Sequence, residues 1–320
     1  MKAALYDPDG GYYKRSDLKR WGREGDYRTS PERSALFAAT FARYFAKLYD
    51  ELQRPSHWTI VEAGPGAGAF AAGVLGNLRD HYPRIFEITS YVLVETSEEL
   101  EKLAPIETGI FFSNELLDAF PVHRLIQTED GIAELYVAVD VSEKFVWSSG
   151  PLSTPRLLEF CREYSVELKR RQIVEVNLEL DRWVETVAGK LEAGYLITVD
   201  YGAESGDLYD VMLRPQGTLR AFSRHDFVDD VLAQPGDYDI TASVNWSQVQ
   251  SVGAHFGFTA VEFAPQDRFL IDAGLLDELQ RGLNSGTTDA EKLSLTTGAR
   301  EMVLPGGMGS SFQVLVQKKG

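Results

Sequence analysis

The chain has 320 residues, 44% of them hydrophobic and 25% charged, the profile of a globular protein with room for a substantial core. A formal net charge of −16 makes most of its surface repel phosphate backbones, which argues against DNA or a large RNA as a partner. No apolar run reaches the roughly 18 residues that span a bilayer, so no membrane span is expected.

The opening "MKAALYDPDGGYY" matches neither a signal peptide nor an Arg-rich transit peptide, and a single cysteine, Cys161, allows no intrachain disulfide. Both features lead to the expectation of a cytoplasmic protein. His57, His81, His123, His225 and His255 are scattered and show no zinc-ligand spacing, so no metal is expected. The basic stretch "YYKRSDLKRWGRE" reads as a solvated loop, or alternatively as a patch that docks a partner.

Residues 5–30 read as loop. Ser30-Pro31-Glu32 then forms a helix start: a capping hydroxyl, proline in the first turn and a carboxylate at the positive helix end. Leu36, Phe37, Phe41, Tyr44, Phe45, Leu48 and Leu52 follow the 3.6-residue period, so this helix lays one face on a core. "WTIVEA" (58–63) predicts a buried strand, Ala69–His81 a helix, "YVLVET" (91–96) a second strand with a short helix after it, and "GIFFSN" (109–114) a third. An insertion at about 125–175 is strand-like in "AELYVAV" and helical after Thr154-Pro155. "DRWVETVAGKLEAG" predicts a helix closed by Gly194, before the buried strand "YLITVDYG" (195–202). Then follow the helix "WSQVQSVGAHFGF" ended by Gly257, the strand "TAVEF", a helical stretch near 273–282, the turn "PGGMG" and a last strand, "SFQVLVQK".

This alternation predicts an α/β fold with a mostly parallel sheet covered on both faces. No Pro/Gly/Ser linker divides the chain, so a single domain over 1–320 is expected. Its parts are an N-terminal loop and helix (1–55), a half around the glycine loop (56–124), an insertion with helices (125–190) and the second half of the sheet (191–320).

The stretch "IVEAGPGAGAFAAGVL" (60–75) carries the clearest chemistry. Gly64, Pro65, Gly66 and Gly68 form a first strand-to-helix turn, the place where open α/β sheets bind ligands. "GPGAGA" satisfies both the dinucleotide fingerprint and the G-x-G-x-G loop used for S-adenosylmethionine, and a bare tight turn without a ligand is a third reading. Glu62, just before the loop, would repel a pyrophosphate but suits a ligand bearing an ammonium and a sulfonium. Glu95, 95 − 64 = 31 positions beyond the first glycine, can accept both ribose hydroxyls of either nucleoside. Glu95 supports a nucleoside without choosing between the two, and Glu62 tips the reading toward the methyl donor over NAD.

"ALYDPDGGYY", "GDYRTSPE", "VEAGPGAG", "SNELLDAFPVHRL", "VDYG" and "GTLRAF", in that order, resemble the MidA family of S-adenosylmethionine-dependent methyltransferases, from residue 3 to the closing "MGSSFQVLV". The mitochondrial member of that family is a complex I assembly factor that symmetrically dimethylates an arginine. The resemblance implies a class I, Rossmann-like methyltransferase fold with seven strands, the last antiparallel, and S-adenosyl-L-methionine as cofactor. By position it gives Glu62, Gly64, Gly66 and Gly68 the methionine end of the cofactor and Glu95 the ribose. Thr29, Ser30, Pro31 and Glu32 match "TSPE" near the cofactor mouth, and Asn114 and Glu115 match the "NE" pair.

Three departures stand out. The lead before "ALYDP" is shorter than usual. Eighteen residues (96–113) separate Glu95 from Asn114, too few for the usual helix, third strand and connection. Thr241-Ala242-Ser243-Val244-Asn245 stands where relatives tend to read T-A-H-V-D.

Arginine is a difficult nucleophile, because its guanidinium stays protonated far above neutral pH and its lone pair is delocalised. A carboxylate gripping two guanidinium N–H groups localises charge on them and leaves the third nitrogen to attack, and Glu115 is the candidate for that grip. Asp118, three residues on along the same helical face, is a second candidate, and His225 a candidate proton acceptor. A capping role competes: Asn114 as N-cap, with Glu115 and Asp118 in the first turn, favours a helix without any catalysis. Asp200 and Tyr201 end the strand "TVDY", either lining the acceptor side or serving structure alone. The expected partner is a protein with an exposed arginine, such as a respiratory complex subunit, drawn to the acidic surface through a basic segment. The alternatives are a non-catalytic binder of the cofactor that acts in assembly, a small-molecule methyltransferase, or an NAD-dependent oxidoreductase.

Overall fold

Residues 1–15, 17–18, 34–223, 226–285, 288–304 and 311–320 are described by the computed structural model. They fall into two compact units. One comprises the described parts of Met1–Tyr27, Leu117–Arg182 and Gly202–Ser251; the other those of Arg28–Leu116, Trp183–Tyr201 and Val252–Gly320.

The second unit carries the central sheet. Its strands are β1 (Trp58–Ala63), β2 (Thr89–Val94), β3 (Ile106–Asn114), β8 (Leu191–Ala203, as far as Tyr201), β13 (Thr259–Pro265) and β14 (Phe312–Lys319), in the order β13-β14-β8-β3-β1-β2. β2, β1, β3 and β8 are mutually parallel. β14 runs antiparallel to both β8 and β13, as expected for the last strand. The middle strands are near-continuous apolar runs because a parallel sheet is buried on both faces, and β1, β3 and β8 show that burial along most of their length.

Among the described residues no strand pairs with the other edge of β2. The six residues of helix Ser97–Lys102 take up most of the chain between β2 and β3, which leaves no length for a strand beyond β2. The expected seven-strand sheet therefore lacks its third strand, as the short spacing between Glu95 and Asn114 requires.

The helix carrying the predicted apolar face spans Ala35–Glu51. The Ser34 hydroxyl accepts from the Leu36 N–H and caps it, whereas the expected start at Ser30-Pro31-Glu32 lies outside the described residues. Its aromatics are core, as the periodicity predicts. Phe37, Phe41 and Phe45 meet Phe70 and Phe112, and the Phe70 ring stacks on Phe112 with centroids 4.2 Å apart and planes 10° from parallel. Phe70 is the second residue of the helix Ala69–His81, so this stack pins the start of that helix on β3. Gly194 does not close a helix: the helix Glu179–Lys190 gives way to β8 at Leu191, and Gly194 sits inside the strand, paired with Gly109 of β3.

The first unit holds an antiparallel sheet of β4 (His123–Gln127), β5 (Ile132–Val139), β6 (Phe145–Gly150) and β7 (Ile173–Val176), in the order β6-β5-β4-β7. One face packs Leu125, Val174 and Val176 against Leu157, Phe160 and Cys161 of the helix Arg156–Glu163, so the insertion is strand-like and then helical, as read. β9 (Arg220–Ser223), β10 (Asp226–Val228) and β11 (Asp239–Thr241) form a small sheet, packed through Ala221 and Ile240 on Leu5 and Tyr12. β12 (Val244–Asn245) pairs with Gly202 and Ala203 at the end of β8. It brings that sheet to seven strands without replacing the missing third one.

Candidate functional site

β2 lies on one side of β1 and β3 on the other, so the strand order reverses at β1. Open α/β sheets bind ligands at such a switch point, outside the carboxyl ends of the strands. There the chain turns through Gly64, Pro65, Gly66, Ala67 and Gly68. Gly64, Gly66 and Gly68 have φ of 71°, 52° and 74°, a region that residues with a Cβ occupy only at a cost. The Gly64 N–H donates to the Val94 carbonyl at 2.8 Å, and the Gly68 N–H closes the turn on the Pro65 carbonyl at 2.8 Å. Among the described residues no side chain caps the helix that Gly68 opens, and a Cβ at Gly68 would meet nothing within 4 Å.

Two carboxylates flank it. Glu62 is buried near the end of β1, where its Oε2 accepts the Tyr91 hydroxyl of β2 at 2.7 Å. Burial pushes the Glu62 carboxyl up to about 7; the Tyr91 hydrogen bond opposes this, and the charge of Glu95 adds to it. The same contact and burial raise the Tyr91 hydroxyl. Glu95 is exposed and follows β2 directly, and its N–H donates to Glu99 Oε2 at 2.7 Å beside the capping box of the helix Ser97–Lys102.

On the other side, Asn114 ends β3. Its Nδ2 donates to Glu115 Oε1 at 3.1 Å, and among the described residues its buried Oδ1 has no hydrogen-bond partner. Glu115 has a φ of 52°, an uncommon conformation for a residue with a side chain. Its N–H donates to the Val199 carbonyl at 2.9 Å, which carries the β3–β8 ladder past the end of β3 and prevents a helix from starting at Asn114. Leu116 packs beneath the glycine turn, with Cδ1 3.0 Å from where a Gly64 Cβ would stand.

Glu62, Gly64, Pro65, Gly66, Gly68, Glu95, Asn114 and Glu115 thus share one edge of the sheet. Asp118 does not join Glu115 on a helical face, because only the short 3-10 turn Leu117–Ala119 forms and Glu115 is left-handed. Asp118 is buried in the first unit, where its carbonyl accepts the Ala242 N–H at 2.9 Å. The capping alternative for Asn114 and Glu115 falls for the same reason. Thr29, Ser30, Pro31, Glu32 and His225 lie outside the described residues. Asp200 is buried, and its Oδ1 accepts the Tyr201 N–H at 2.8 Å.

The "TASVN" stretch is occupied structurally. Ser243 Oγ accepts from Arg220 at 3.2 Å, while Asn245 Oδ1 accepts the Ser205 hydroxyl at 3.0 Å and the Gln248 N–H at 3.3 Å, capping the helix Trp246–His255. Sequence reasoning missed Tyr91 and Leu116. Tyr91 meets Glu62 through the pairing of β1 with β2, and Leu116 meets Gly64 from beyond the end of β3, contacts that no local pattern in "TSYVLV" or "NELL" reveals. No helix among the described residues is long and apolar enough to cross a membrane.

Residues 40–104 and 99–264 match the family described as "Putative S-adenosyl-L-methionine-dependent methyltransferase". "Protein arginine methyltransferase NDUFAF7, mitochondrial" of Mus musculus is 26% identical over 357 residues, 98% of this chain and 78% of that protein. The Homo sapiens protein of the same name is 25% identical, over 98% of this chain and 77% of its own length. A crystal structure of a "likely methyl transferase from Burkholderia thailandensis bound to S-adenosyl-homocysteine" is also similar. It has a TM-score of 0.84 and 26% identity, over 100% of this chain and 86% of that one. The relatives' mitochondrial location overturns the expectation of a cytoplasmic protein. A lone cysteine forms no intrachain disulfide in any compartment, so it never discriminated between them. The matched residues take in most of the sequence, and the chain belongs to this family: it is a methyltransferase that uses S-adenosyl-L-methionine.

Proposed function

We propose that the protein methylates an arginine of a protein substrate, with the cofactor held at the head of β1. The observation that carries this reading is the glycine turn between two carboxylates, Glu62 and Glu95, at the switch point of the sheet. The residues fit the group. Among the described residues nothing stands where a Gly68 side chain would intrude and the buried Asn114 Oδ1 accepts no hydrogen bond, while Glu62 is a desolvated carboxylate that a cation would relieve.

In this reading Glu62 and the backbone of Gly64–Gly68 hold the methionine end, Glu62 pairing with its ammonium. Glu95 accepts the ribose hydroxyls, and Asn114 accepts a polar hydrogen beside them. Bound there, S-adenosyl-L-methionine supplies an activated methyl group on a sulfonium. Glu115 grips two N–H groups of the acceptor guanidinium, leaves the third nitrogen to face the methyl, and so supplies alignment, the main requirement of such a displacement. Asn114 Nδ2 holds Glu115 Oε1, and the left-handed backbone of Glu115 fixes the direction of the carboxylate.

The arginine acceptor follows the names of the mouse and human relatives. A respiratory complex subunit with an exposed arginine follows the family resemblance, and the charge of −16 suits a basic segment around it. Transfer of labelled methyl to arginine-bearing proteins, compared with the Glu115→Ala variant, tests the reading. Label in arginine that disappears in the variant supports it; label in another residue, or equal transfer by the variant, sinks it. One observation favours a second reading, binding without transfer: Ser243 and Asn245 stand in place of a His and an Asp and are engaged in structural bonds. That reading predicts cofactor binding with no transfer to any arginine.

A further inference from the structure

Glu62 is held through one of its two oxygens. The Tyr91 hydroxyl donates to Oε2 at 2.7 Å, and among the described residues no donor meets Oε1. Strand register makes this contact. Tyr91 pairs with Ile60, two positions before Glu62 in β1, so its side chain stands on the Glu62 face and reaches along the strand to the carboxylate. Its ring packs against the core that holds Phe70 and Phe112, which leaves the hydroxyl little freedom to swing away. Glu62 lies between Leu93 of β2 and Phe112 of β3, and the helices Ala35–Glu51 and Ala69–His81 bring phenylalanines to this face, so these neighbours carry no charge. Among the described residues, Tyr91 and Glu95 are the titratable groups that act on the carboxyl, and of the two Tyr91 favours its charge.

We propose that Tyr91 is a positioning residue of the cofactor pocket: by occupying Oε2 it turns Oε1 of Glu62 toward the ammonium of S-adenosyl-L-methionine. The role rests on the ammonium pairing proposed above for Glu62. A carboxylate with no fixed partner at this depth rotates or takes up a proton, and in either case offers the ammonium less. The tyrosine hydroxyl opposes both. Burial and the charge of Glu62 raise that hydroxyl, so it donates across the range in which Glu62 titrates. A hydrogen bond to a charged acceptor favours the ionised carboxylate, and here it works against the burial that lifts Glu62 to about 7. Tyr91 thereby sets the pH above which the pocket takes the cofactor, acting on Glu62 and not on the ligand.

Calorimetric titration of S-adenosylhomocysteine into wild type, Tyr91→Phe, Glu62→Gln and the double variant, from pH 6 to 8.5, tests the role. Phe keeps the ring in the core and removes the hydroxyl alone. The midpoint of the binding profile, about 7 in wild type, is expected about one pH unit higher in Tyr91→Phe, because a hydrogen bond to a carboxylate is worth roughly tenfold. At pH 7 the variant then binds about fivefold more weakly. At pH 8.5 it comes within about threefold of wild type, the remainder being the cost of a carboxylate free to rotate. In the Glu62→Gln background the same substitution changes affinity less than about twofold at any pH. A wild-type midpoint near 7 that Tyr91→Phe leaves in place, or a loss of equal size at every pH and in both backgrounds, overturns the role of Tyr91 and leaves the pairing of Glu62 intact. Wild-type binding that is flat from pH 6 to 8.5 overturns that pairing, and the role of Tyr91 with it.

Discussion

Replacing Glu62 by Gln separates the cost of the site from its use. In the folded protein the Glu62 carboxyl lies at about 7, against an ordinary value of 4.5, chiefly because it is buried. The difference, 7 − 4.5 = 2.5 pH units, corresponds to about 3 kcal/mol at 1.36 kcal/mol per unit. Below pH 4.5 the group is protonated in both states and costs nothing. Between 4.5 and 7 the unfolded chain ionises first, and above 7 the folded state bears the full penalty. Gln keeps an oxygen to accept the Tyr91 hydroxyl and never ionises. Without ligand, Glu62→Gln is therefore more stable than wild type by up to about 3 kcal/mol at pH 8.5 and nearly equal to it at pH 4.5. Urea unfolding of both proteins at the two pH values measures this. S-adenosylhomocysteine keeps the ammonium that the proposed reading pairs with Glu62, so the same variant is expected to bind it at least tenfold more weakly. A stability difference that does not change with pH would refute the burial argument, and unchanged affinity would refute the pairing.

Binding of S-adenosylhomocysteine to the wild type strengthens as pH rises through about 7, approaching tenfold per unit below that value, while Glu62→Gln shows a flat profile; isothermal titration at pH 6, 7 and 8 checks both. Gly68→Ala destabilises the protein by about 1–2 kcal/mol in thermal melts, although space for a Cβ exists, because φ there is 74°. Glu115→Gly keeps stability within about 1 kcal/mol of wild type, relief of its left-handed backbone offsetting the added freedom of the unfolded chain. It lowers arginine transfer more than tenfold while keeping the affinity for S-adenosylhomocysteine. Radiometric transfer beside melting curves separates those two effects.

The strand, turn and helix at 58–81 are legible because their signals are local. A buried apolar run ends in three glycines, all of which adopt positive φ, and an alanine-rich helix follows. The missing third strand is legible by counting, since 18 residues between Glu95 and Asn114 cannot hold it. Long-range pairing is what the sequence hides. "SNELLDAF" has the composition of a capped helix start, yet the bond from the Glu115 N–H to Val199, 84 positions away, holds the chain extended and turns Glu115 left-handed. Gly194 reads as a helix stop, but the register of β3 with β8 claims it for the strand. The Tyr91 contact to Glu62 depends in the same way on two neighbouring strands. Propensity describes a residue's neighbours in the chain, and these three outcomes depend on neighbours in space.

The glycine turn with its two acidic walls is tested most directly by calorimetric titration of S-adenosylhomocysteine into wild type and Glu95→Ala. The account predicts one site per chain for wild type and an affinity roughly 10–100-fold weaker for the variant, the worth of hydrogen bonds to a charged carboxylate. Equal affinity in the two proteins would contradict it.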